Sequence, residues 1–227
     1  MKTKILYEDA TVLVIHKPAG IAVQSARVGQ MDCESELRNY LARKGVNPYI
    51  GLVHRLDQPV EGVLVVAGTK EAAAKLNKQL ATGSLNKKYL AVVHLEGEDI
   101  AESGDFVDYL LKDGQVAKIV SPDIKEAKEA HLHYKINQKL KEANLALADV
   151  EIETGRFHQI RCQMAHHGMP LLGDVKYGSS SSVELGRQLG IRQVALCANQ
   201  IAFKHPTTGK PMEFTVVPEN SAFAKFL

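Results

Sequence analysis

The chain contains no tryptophan, only three cysteines, and few aromatic residues, which make up 6% of its 227 positions. Cys33, Cys162 and Cys197 are far apart and form no C-x-x-C pair, and their odd number argues against a secreted disulfide framework. No apolar run approaches the ~18 residues that a membrane-spanning helix needs, and no signal-peptide pattern is present. We therefore expect a cytoplasmic protein without membrane association.

An excess of charge of one sign is also missing, because 28 basic and 26 acidic residues leave a formal net charge of +2. This balance excludes a general electrostatic field for nucleic acid, so any basic surface must be local. Apolar residues make up 45% and charged residues 24%, as in ordinary globular proteins. With no internal repeat and no long Gly/Ser/Pro linker, we expect one domain over residues 1–227.

The hydrophobic pattern predicts an α/β fold of the α+β type, with a mixed, mostly antiparallel central sheet flanked by helices. Short alternating or β-branched runs predict strands at Ile5–Tyr7, Thr11–Ile15, Val63–Ala67, Tyr89–Val93, Val107–Leu111, Gln115–Val120, Ala130–Ile136, Leu145–Ile152, Val194–Phe203 and Lys210–Val217. Helical periodicity and capping residues predict helices at Asp32–Lys44, from a Thr69 cap to Ala81, and from about Gly155 to His167 after a Thr154 cap. The serine run at Ser179–Ser182 is predicted to be a loop.

The segment Gly51–Ala67, GLVHRLDQPVEGVLVVA, carries a charged cluster, His54–Asp57, just before a predicted buried strand. Catalytic groups are often carried on loops that a rigid scaffold positions. The alternative is local, because Asp and Pro favour turns for conformational reasons and Asp57 precedes Pro59 by two residues. These residues alone leave both interpretations open.

Two further segments combine charge with aromatic residues. In Lys87-Lys88-Tyr89 the tyrosine is either a core aromatic with its hydroxyl at the edge or a functional group. In the predicted helix after Thr154, Arg156 lies in the first turn, where the helix dipole disfavours a cation. A cation at this position indicates either an anionic partner or a solvated side chain.

Histidines in the same region raise the question of a metal site. His158, His166 and His167 match no zinc-binding spacing, and Cys162 adds no ligand at a suitable separation. The sequence therefore predicts no metal.

Taken together, the motifs resemble those of the RluA-type pseudouridine synthases over roughly residues 5–217. The resemblance depends on their order and separation: HKPAG at 16–20, HRLD at 54–57, KKY at 87–89, TGRFHQIR at 154–161, GDVKYG at 173–178 and HPTTGKPMEF at 205–214. It implies a pseudouridine synthase fold and the isomerisation of uridine to pseudouridine in tRNA or rRNA. It also implies RNA as the partner and no cofactor, and we expect a monomer.

The resemblance assigns catalytic roles to three residues. Asp57 is implied to be the nucleophile, and Tyr89 to stack on the target base and move a proton. Arg161 is implied to pair with Asp57, which would keep the carboxylate ionised because a neighbouring cation lowers its pKa. The substrate-binding residues implied are His54, Arg55, Lys87, Lys88, Arg156, His158 and Lys176. Among them, Arg55 is implied to help displace the target nucleotide from its stack.

Four positions in three segments depart from the family pattern. Val60-Glu61 replaces a frequent Thr-Ser pair, Cys197 a frequent His, and His16 a frequent Asn. We expect the acid at Glu61 to weaken phosphate binding slightly. The pattern begins by Ile5, which leaves no room for the small S4-type RNA-binding domain that many relatives carry.

Two alternatives to the enzyme remain. A catalytically inactive RNA-binding relative would have lost Asp57, Tyr89 or Arg161, and all three are present. An unrelated hydrolase built on Asp57 and His54 would explain HRLD but would leave KKY and GRFHQIR as coincidences.

Overall fold

The computed structural model describes residues 1–25, 29–97 and 99–227. Their backbone groups into two compact units: unit 1 comprises Met1–Lys87 and Cys197–Glu219, and unit 2 comprises Lys88–Leu196 and Asn220–Leu227. The strands are β1 (Lys4–Glu8), β2 (Val12–Lys17), β3 (Gly51–Leu52), β4 (Glu61–Ala67), β5 (Asn86–His94), β6 (Ser103–Asp113), β7 (Val116–Val120), β8 (Lys128–Leu140), β9 (Leu145–Ile152), β10 (Leu196–Lys204) and β11 (Pro211–Thr215). The helices are α1 (Cys33–Arg43), α2 (Lys70–Ala81), α3 (Gln159–His166) and α4 (Ser180–Gln188), with 3-10 turns at Lys141–Ala143 and Ser221–Lys225.

Unit 1 is built on β4, whose seven residues are all buried. β4 pairs antiparallel with β2 and parallel with β10, while β1 and β11 extend the two sides. Its Val63–Ala67 run and the Val12–Ile15 run of β2 are at most 1% exposed. Their β-branched side chains form the apolar core of this unit, as the continuous hydrophobic pattern predicts.

Gly62 is required where β4 and β10 lie side by side. It has a φ of +138°, and an added Cβ would lie 2.5 Å from backbone atoms of Ala198 on β10. Any other residue would therefore push the two strands apart. This glycine fixes the close parallel pairing immediately after Glu61.

Unit 2 is an antiparallel sheet in the order β5-β9-β8-β6-β7. Ala130, Leu132, Tyr134 and Ile136 of β8 are all buried, which confirms the predicted alternation along this strand. The sequence Lys112-Asp113-Gly114 predicts a hairpin turn. This prediction is confirmed, because β6 and β7 pair from Tyr109–Val120 to Asp113–Val116. Among the described residues, the pairings within the two units are antiparallel apart from β4 with β10, in agreement with the mixed, mostly antiparallel pattern expected from the sequence.

The second helix begins after its predicted Thr69 cap, and the first begins at Cys33, one residue after its predicted start, with Asp32 as the cap. The Asp32 carboxylate accepts a hydrogen bond from the Ser35 N–H at the start of α1, and the Thr69 hydroxyl accepts one from Ala72 at the start of α2. Within the described part of the chain, no helix is long and apolar enough to cross a membrane.

The prediction of a helix from Gly155 is wrong, because α3 begins at Gln159 after His158 with a φ of +53°. Thr154 does not cap it; its hydroxyl donates to Gln159 Oε1, which also accepts the Arg156 N–H at 2.9 Å. Arg156 therefore lies in a turn before the helix, so the dipole argument no longer applies to it. The helical periodicity predicts a buried stripe of Phe157, Ile160 and Met164. Phe157 is instead 38% exposed, whereas Ile160 and Met164 are buried as predicted.

The prediction of a loop at the serine run is also wrong. Ser179 is the N-cap of α4, and its hydroxyl accepts the Ser182 N–H at 3.0 Å. Serine favours this position because its side chain satisfies a helix donor that would otherwise have no intrahelical partner.

Candidate active site

The HRLD loop joins β3 to β4 in unit 1. β3 pairs antiparallel with the far end of β4, with Gly51 opposite Ala67 and Leu52 opposite Val66. Asp57 is partly buried and Arg55 is exposed, and a turn follows in which the Val60 N–H donates to the Asp57 carbonyl at 3.1 Å. The loop therefore presents a carboxylate and a guanidinium immediately before the core strand.

A buried lysine anchors this loop to the HKPAG turn. The Lys17 side chain is fully buried, and its Nζ donates to the carbonyls of Gln58 at 3.2 Å, Ile21 at 2.7 Å and Pro18 at 3.0 Å. The Gly20 N–H also donates to the Gln58 carbonyl at 2.8 Å, and the Gln58 amide donates to Gly20 in return. These five hydrogen bonds fix the HKPAG turn and join it to Gln58, the residue after Asp57.

Burial also changes the electrostatics of Lys17. Desolvation lowers its pKa to about 8, although the nearby Cys33, Asp57 and Glu61 oppose this shift. The sequence predicts that HKPAG forms a turn. It does not indicate that Lys17 anchors the HRLD loop. The partners of Lys17 are backbone carbonyls, which no side-chain motif reveals.

His54 is neutral in this loop. Burial lowers the pKa of His54 to about 3, and the neighbouring Lys87 cation lowers it further. Its Nε2 accepts the Val65 N–H of β4 at 3.4 Å, which requires the unprotonated nitrogen. Burial also lowers the pKa of Lys87. His54 therefore supports the loop as an acceptor and cannot supply a charge for phosphate at neutral pH.

Three of the four positions that depart from the family pattern converge on one buried cluster in unit 1. Glu61 Oε2 lies 3.9 Å from His16 Nε2, and Cys197 lies opposite Glu61 in the β4–β10 pairing. His16 Nδ1 lies 3.7 Å from Glu219 Oε1, and the Glu219 N–H donates to Glu61 at 3.0 Å. Burial lowers the pKa of His16 while both glutamates oppose that shift. His16, Glu61 and Cys197 therefore lie close together in the buried part of unit 1.

Glu61 is buried rather than at the surface, since it is only 2% exposed and its carboxylate accepts the Glu219 N–H. The expected weakening of phosphate binding by this acid stays a prediction. From the sequence alone, an acid at the start of an apolar strand, such as Glu61, can be either exposed or buried.

Tyr89 lies on β5 in unit 2, where it is 5% exposed and opposite Val150 of β9. The adjacent Lys88 is exposed and pairs with Glu151 across the same ladder, with Nζ 3.4 Å from Oε1. Alternation along the strand therefore directs Tyr89 to the buried face and Lys88 to solvent.

Arg161 is 4% exposed on α3 and forms a two-point ion pair with Asp174. Its Nε lies 2.7 Å from Oδ2, and its Nη2 lies 2.8 Å from Oδ1. The Asp174 carboxylate also accepts the backbone N–H groups of Lys176 and Tyr177 at 3.0 and 3.3 Å. Such planar bidentate pairing fixes both the position and the orientation of the guanidinium. Asp174 of the GDVKYG motif therefore fixes Arg161 of the GRFHQIR motif. The sequence alone did not indicate this role.

Tyr177 completes this support. Its hydroxyl accepts the Ala117 N–H at 2.6 Å and lies 2.7 Å from His158 Nδ1. Burial raises the pKa of Tyr177 to about 12, so the hydroxyl keeps its proton at neutral pH. The Arg161 guanidinium lies 5.2 Å from the centre of the Tyr177 ring. His158 is therefore held by the motif that follows it in sequence.

The remaining predicted basic residues of unit 2 bond to backbone carbonyls. Arg156 Nε donates to Glu129 at 2.8 Å, and Lys176 Nζ donates to Gln115 at 2.7 Å. Lys176 is exposed and Arg156 is partly exposed. Both retain further donor capacity, since a guanidinium has five N–H groups and an ammonium three.

Comparisons with known proteins agree with this arrangement. The family model "RNA pseudouridylate synthase" matches residues 11–166. The chain is 34% identical to "Ribosomal large subunit pseudouridine synthase D" of Xanthomonas campestris, over 95% of this chain and 66% of that protein. It is 33% identical to a Bacillus subtilis RNA pseudouridine synthase, YlyB, over 98% of this chain and 71% of that one. The chain thus spans about two thirds of the length of such relatives.

The fold is that of a pseudouridylate synthase domain. It superposes on human RNA Pseudouridylate Synthase Domain Containing 4 with a TM-score of 0.76, covering 95% of this chain and 89% of that one at 23% identity. The sequence match covers all of HRLD and KKY and extends through α3. The chain belongs to the RNA pseudouridylate synthase family, which confirms the resemblance of its motifs to the RluA type.

Proposed function

We propose that the chain converts uridine to pseudouridine in ribosomal RNA. The N1–C1′ glycosidic bond is broken, the uracil rotates, and C5 is joined to C1′. The observation that carries this proposal is the family match, which covers an HRLD loop anchored by Lys17. No electrons are transferred and no group leaves the nucleotide, so the isomerisation itself requires no cofactor.

Asp57 is the proposed nucleophile. A carboxylate can form a covalent adduct with the target nucleotide and divide one difficult step into two easier ones. Anchoring of the adjacent Gln58 carbonyl by Lys17 and Gly20 supports this role, because it limits the positions available to the Asp57 backbone. The exposed Arg55 is proposed to occupy the space that the displaced nucleotide leaves.

Tyr89 and Arg161 are the other proposed catalytic residues. The Tyr89 ring would stack on the target uracil and its hydroxyl would transfer a proton. Arg161 would pair with Asp57 and keep it ionised. Its pairing with Asp174 supports this role by fixing the guanidinium, and one further bidentate carboxylate is within the donor capacity of arginine.

Large-subunit rRNA is the proposed substrate, since relatives named for it resemble this chain over nearly its whole length. Phosphate contacts would come from Lys87, Lys88, Arg156 and Lys176, with His158 as a neutral polar contact and His54 supporting the loop. We propose a monomer that acts in the cytoplasm.

The experiment incubates the purified chain with unmodified large-subunit rRNA and, separately, with unmodified tRNA. Pseudouridine is mapped by carbodiimide labelling and primer extension, with Asp57→Asn as the matched control. We expect modification of rRNA by the parent and none by the variant. Modification confined to tRNA would refute the substrate, and RNA binding without modification of either would instead identify an inactive RNA-binding relative.

A further inference from the structure

Three ligating side chains that the proposed reaction does not use lie together in unit 2. They are Asp108 of β6, His166 at the end of α3, and His167, which caps that helix. One ligating atom from each lies within 4.8 Å of the other two. The spacing of the two histidines gave no metal signature in the sequence, because the third ligand, Asp108, lies far away in the chain.

Two of the three ligands are already at coordination spacing. His167 Nε2 lies 3.1 Å from Asp108 Oδ2 and 3.3 Å from Oδ1. Ligands bound at ~2.0–2.1 Å in tetrahedral geometry lie about 3.3 Å apart, so this pair matches the edge of a zinc tetrahedron. His166 would complete the set, because its side chain is exposed and its ligating atom lies within 4.8 Å of the other two.

Surrounding contacts hold the inner pair in place. The fully buried Gln163 donates to Asp108 Oδ2 at 2.7 Å, and its amide also lies near the Phe106 and Ala130 carbonyls. The His167 ring stacks on Phe106, with centroids 3.8 Å apart and planes inclined by 9°. Hydrogen bonds and packing contacts of this kind orient the side chains that bind a metal ion and raise the affinity of the site for the metal.

We propose that Asp108, His166 and His167 bind a zinc ion, with water in the fourth position. Two neutral imidazoles and one carboxylate suit zinc, and the single negative charge partly neutralises the cation. The ion would join the C-terminal end of α3 to β6. Because α3 also carries Arg161, zinc would stabilise the helix on which the proposed active-site arginine depends.

The first test is calorimetric titration of the full chain with zinc chloride. We expect one site per chain, with the affinity lowered about tenfold or more by His166→Ala, His167→Ala and Asp108→Asn. His133→Ala is the matched control. The His133 ring on β8 lies 2.8 Å from Asp105 on β6, the strand that also carries Asp108. Among the described residues, no third ligand joins His133 and Asp105. This control should bind zinc like the parent.

A cobalt(II) titration identifies the ligand type and distinguishes this site from the cysteines. Nitrogen and oxygen ligands give visible d–d bands without the intense near-ultraviolet band of a thiolate. Zinc should also raise the urea midpoint of the parent and of His133→Ala but not of His166→Ala, which keeps its fold without metal. A thiolate band, equal affinity in all variants, or no stoichiometric binding would overturn the proposal.

Discussion

Among individual residues, the candidate site is defined by which charges are buried and what holds them. Lys17, Arg161 and Asp174 are each at most 4% exposed, and each is satisfied by several directed hydrogen bonds. A buried charge is tolerated only with such partners. Hydrogen bonds within the fold therefore hold these three charged side chains in place.

The pair Arg161–Asp174 gives a stability prediction. Asp174→Asn should lower the free energy of unfolding by roughly 3–5 kcal/mol, because it removes the negative charge that pairs in two-point geometry with a buried guanidinium. Urea denaturation measures the change. Asp113→Asn, which breaks the exposed pair with Lys118 at 2.6 Å, is the control and should change stability by less than about 1 kcal/mol. Equal effects would show that the buried pair is not structurally required.

Tyr89→Phe separates stacking from proton transfer. The ring and its burial are kept while the hydroxyl is lost, so RNA affinity should hold and the single-turnover rate should fall roughly 100-fold or more. Tyr134→Phe, at another buried tyrosine of the same sheet, should leave the rate unchanged. If Tyr89→Phe is as fast as the parent, only a stacking role is left for this residue.

Among the secondary-structure elements, the strands other than β3 and the first two helices followed from local pattern, because alternation and helical periodicity are local properties. The start of α3 did not, since this helix has no side-chain cap and the Gln159 side chain accepts hydrogen bonds from the Thr154 hydroxyl and the Arg156 N–H ahead of the helix. α4 was not predicted because a serine run has low helical preference while its first member is a good cap.

The loop between β3 and β4 also predicts a pH dependence. The pKa of His54 falls from its ordinary value near 6.5 to about 3 on folding, so the unfolded chain binds the proton more readily. Its contribution to stability is therefore complete above about pH 6.5 and is lost progressively as the pH falls towards 3.

Urea denaturation at several pH values tests this dependence. His54→Gln should show a smaller loss of stability than the parent between about pH 7.5 and pH 5, with a residual slope from His16, whose pKa burial also lowers. His133→Gln, at an exposed position, should retain the parent's slope. A His54→Gln slope identical to the parent's would show that His54 titrates normally.

For the molecule as a whole, a net charge of +2 limits how RNA can be bound. We predict a modest salt dependence, with a log–log slope of roughly 0.7 per phosphate contact for single-stranded RNA. Lys87→Ala/Lys88→Ala should reduce that slope, while Lys139→Ala/Lys141→Ala should not. A steep slope typical of eight or more contacts, or an unchanged slope in the first variant, would place the RNA elsewhere.

The sequence was most informative about the motifs and least informative about what supports them. HRLD, KKY and GRFHQIR were recognisable because their side chains define the family. Lys17 and Asp174 were not assigned roles, because their partners are backbone groups or residues in other motifs. The burial of Glu61 likewise depends on β10 and on the chain near Glu219, which local pattern does not place.

The activity of Asp57→Asn on large-subunit rRNA tests most directly whether the chain uses an aspartate nucleophile. Asparagine keeps the shape of the side chain and removes its charge and nucleophilicity. We predict a folded variant that binds the RNA with the parent's affinity and forms no pseudouridine in a single-turnover assay. Pseudouridine formation above background by this variant would contradict the assignment of Asp57 as the nucleophile.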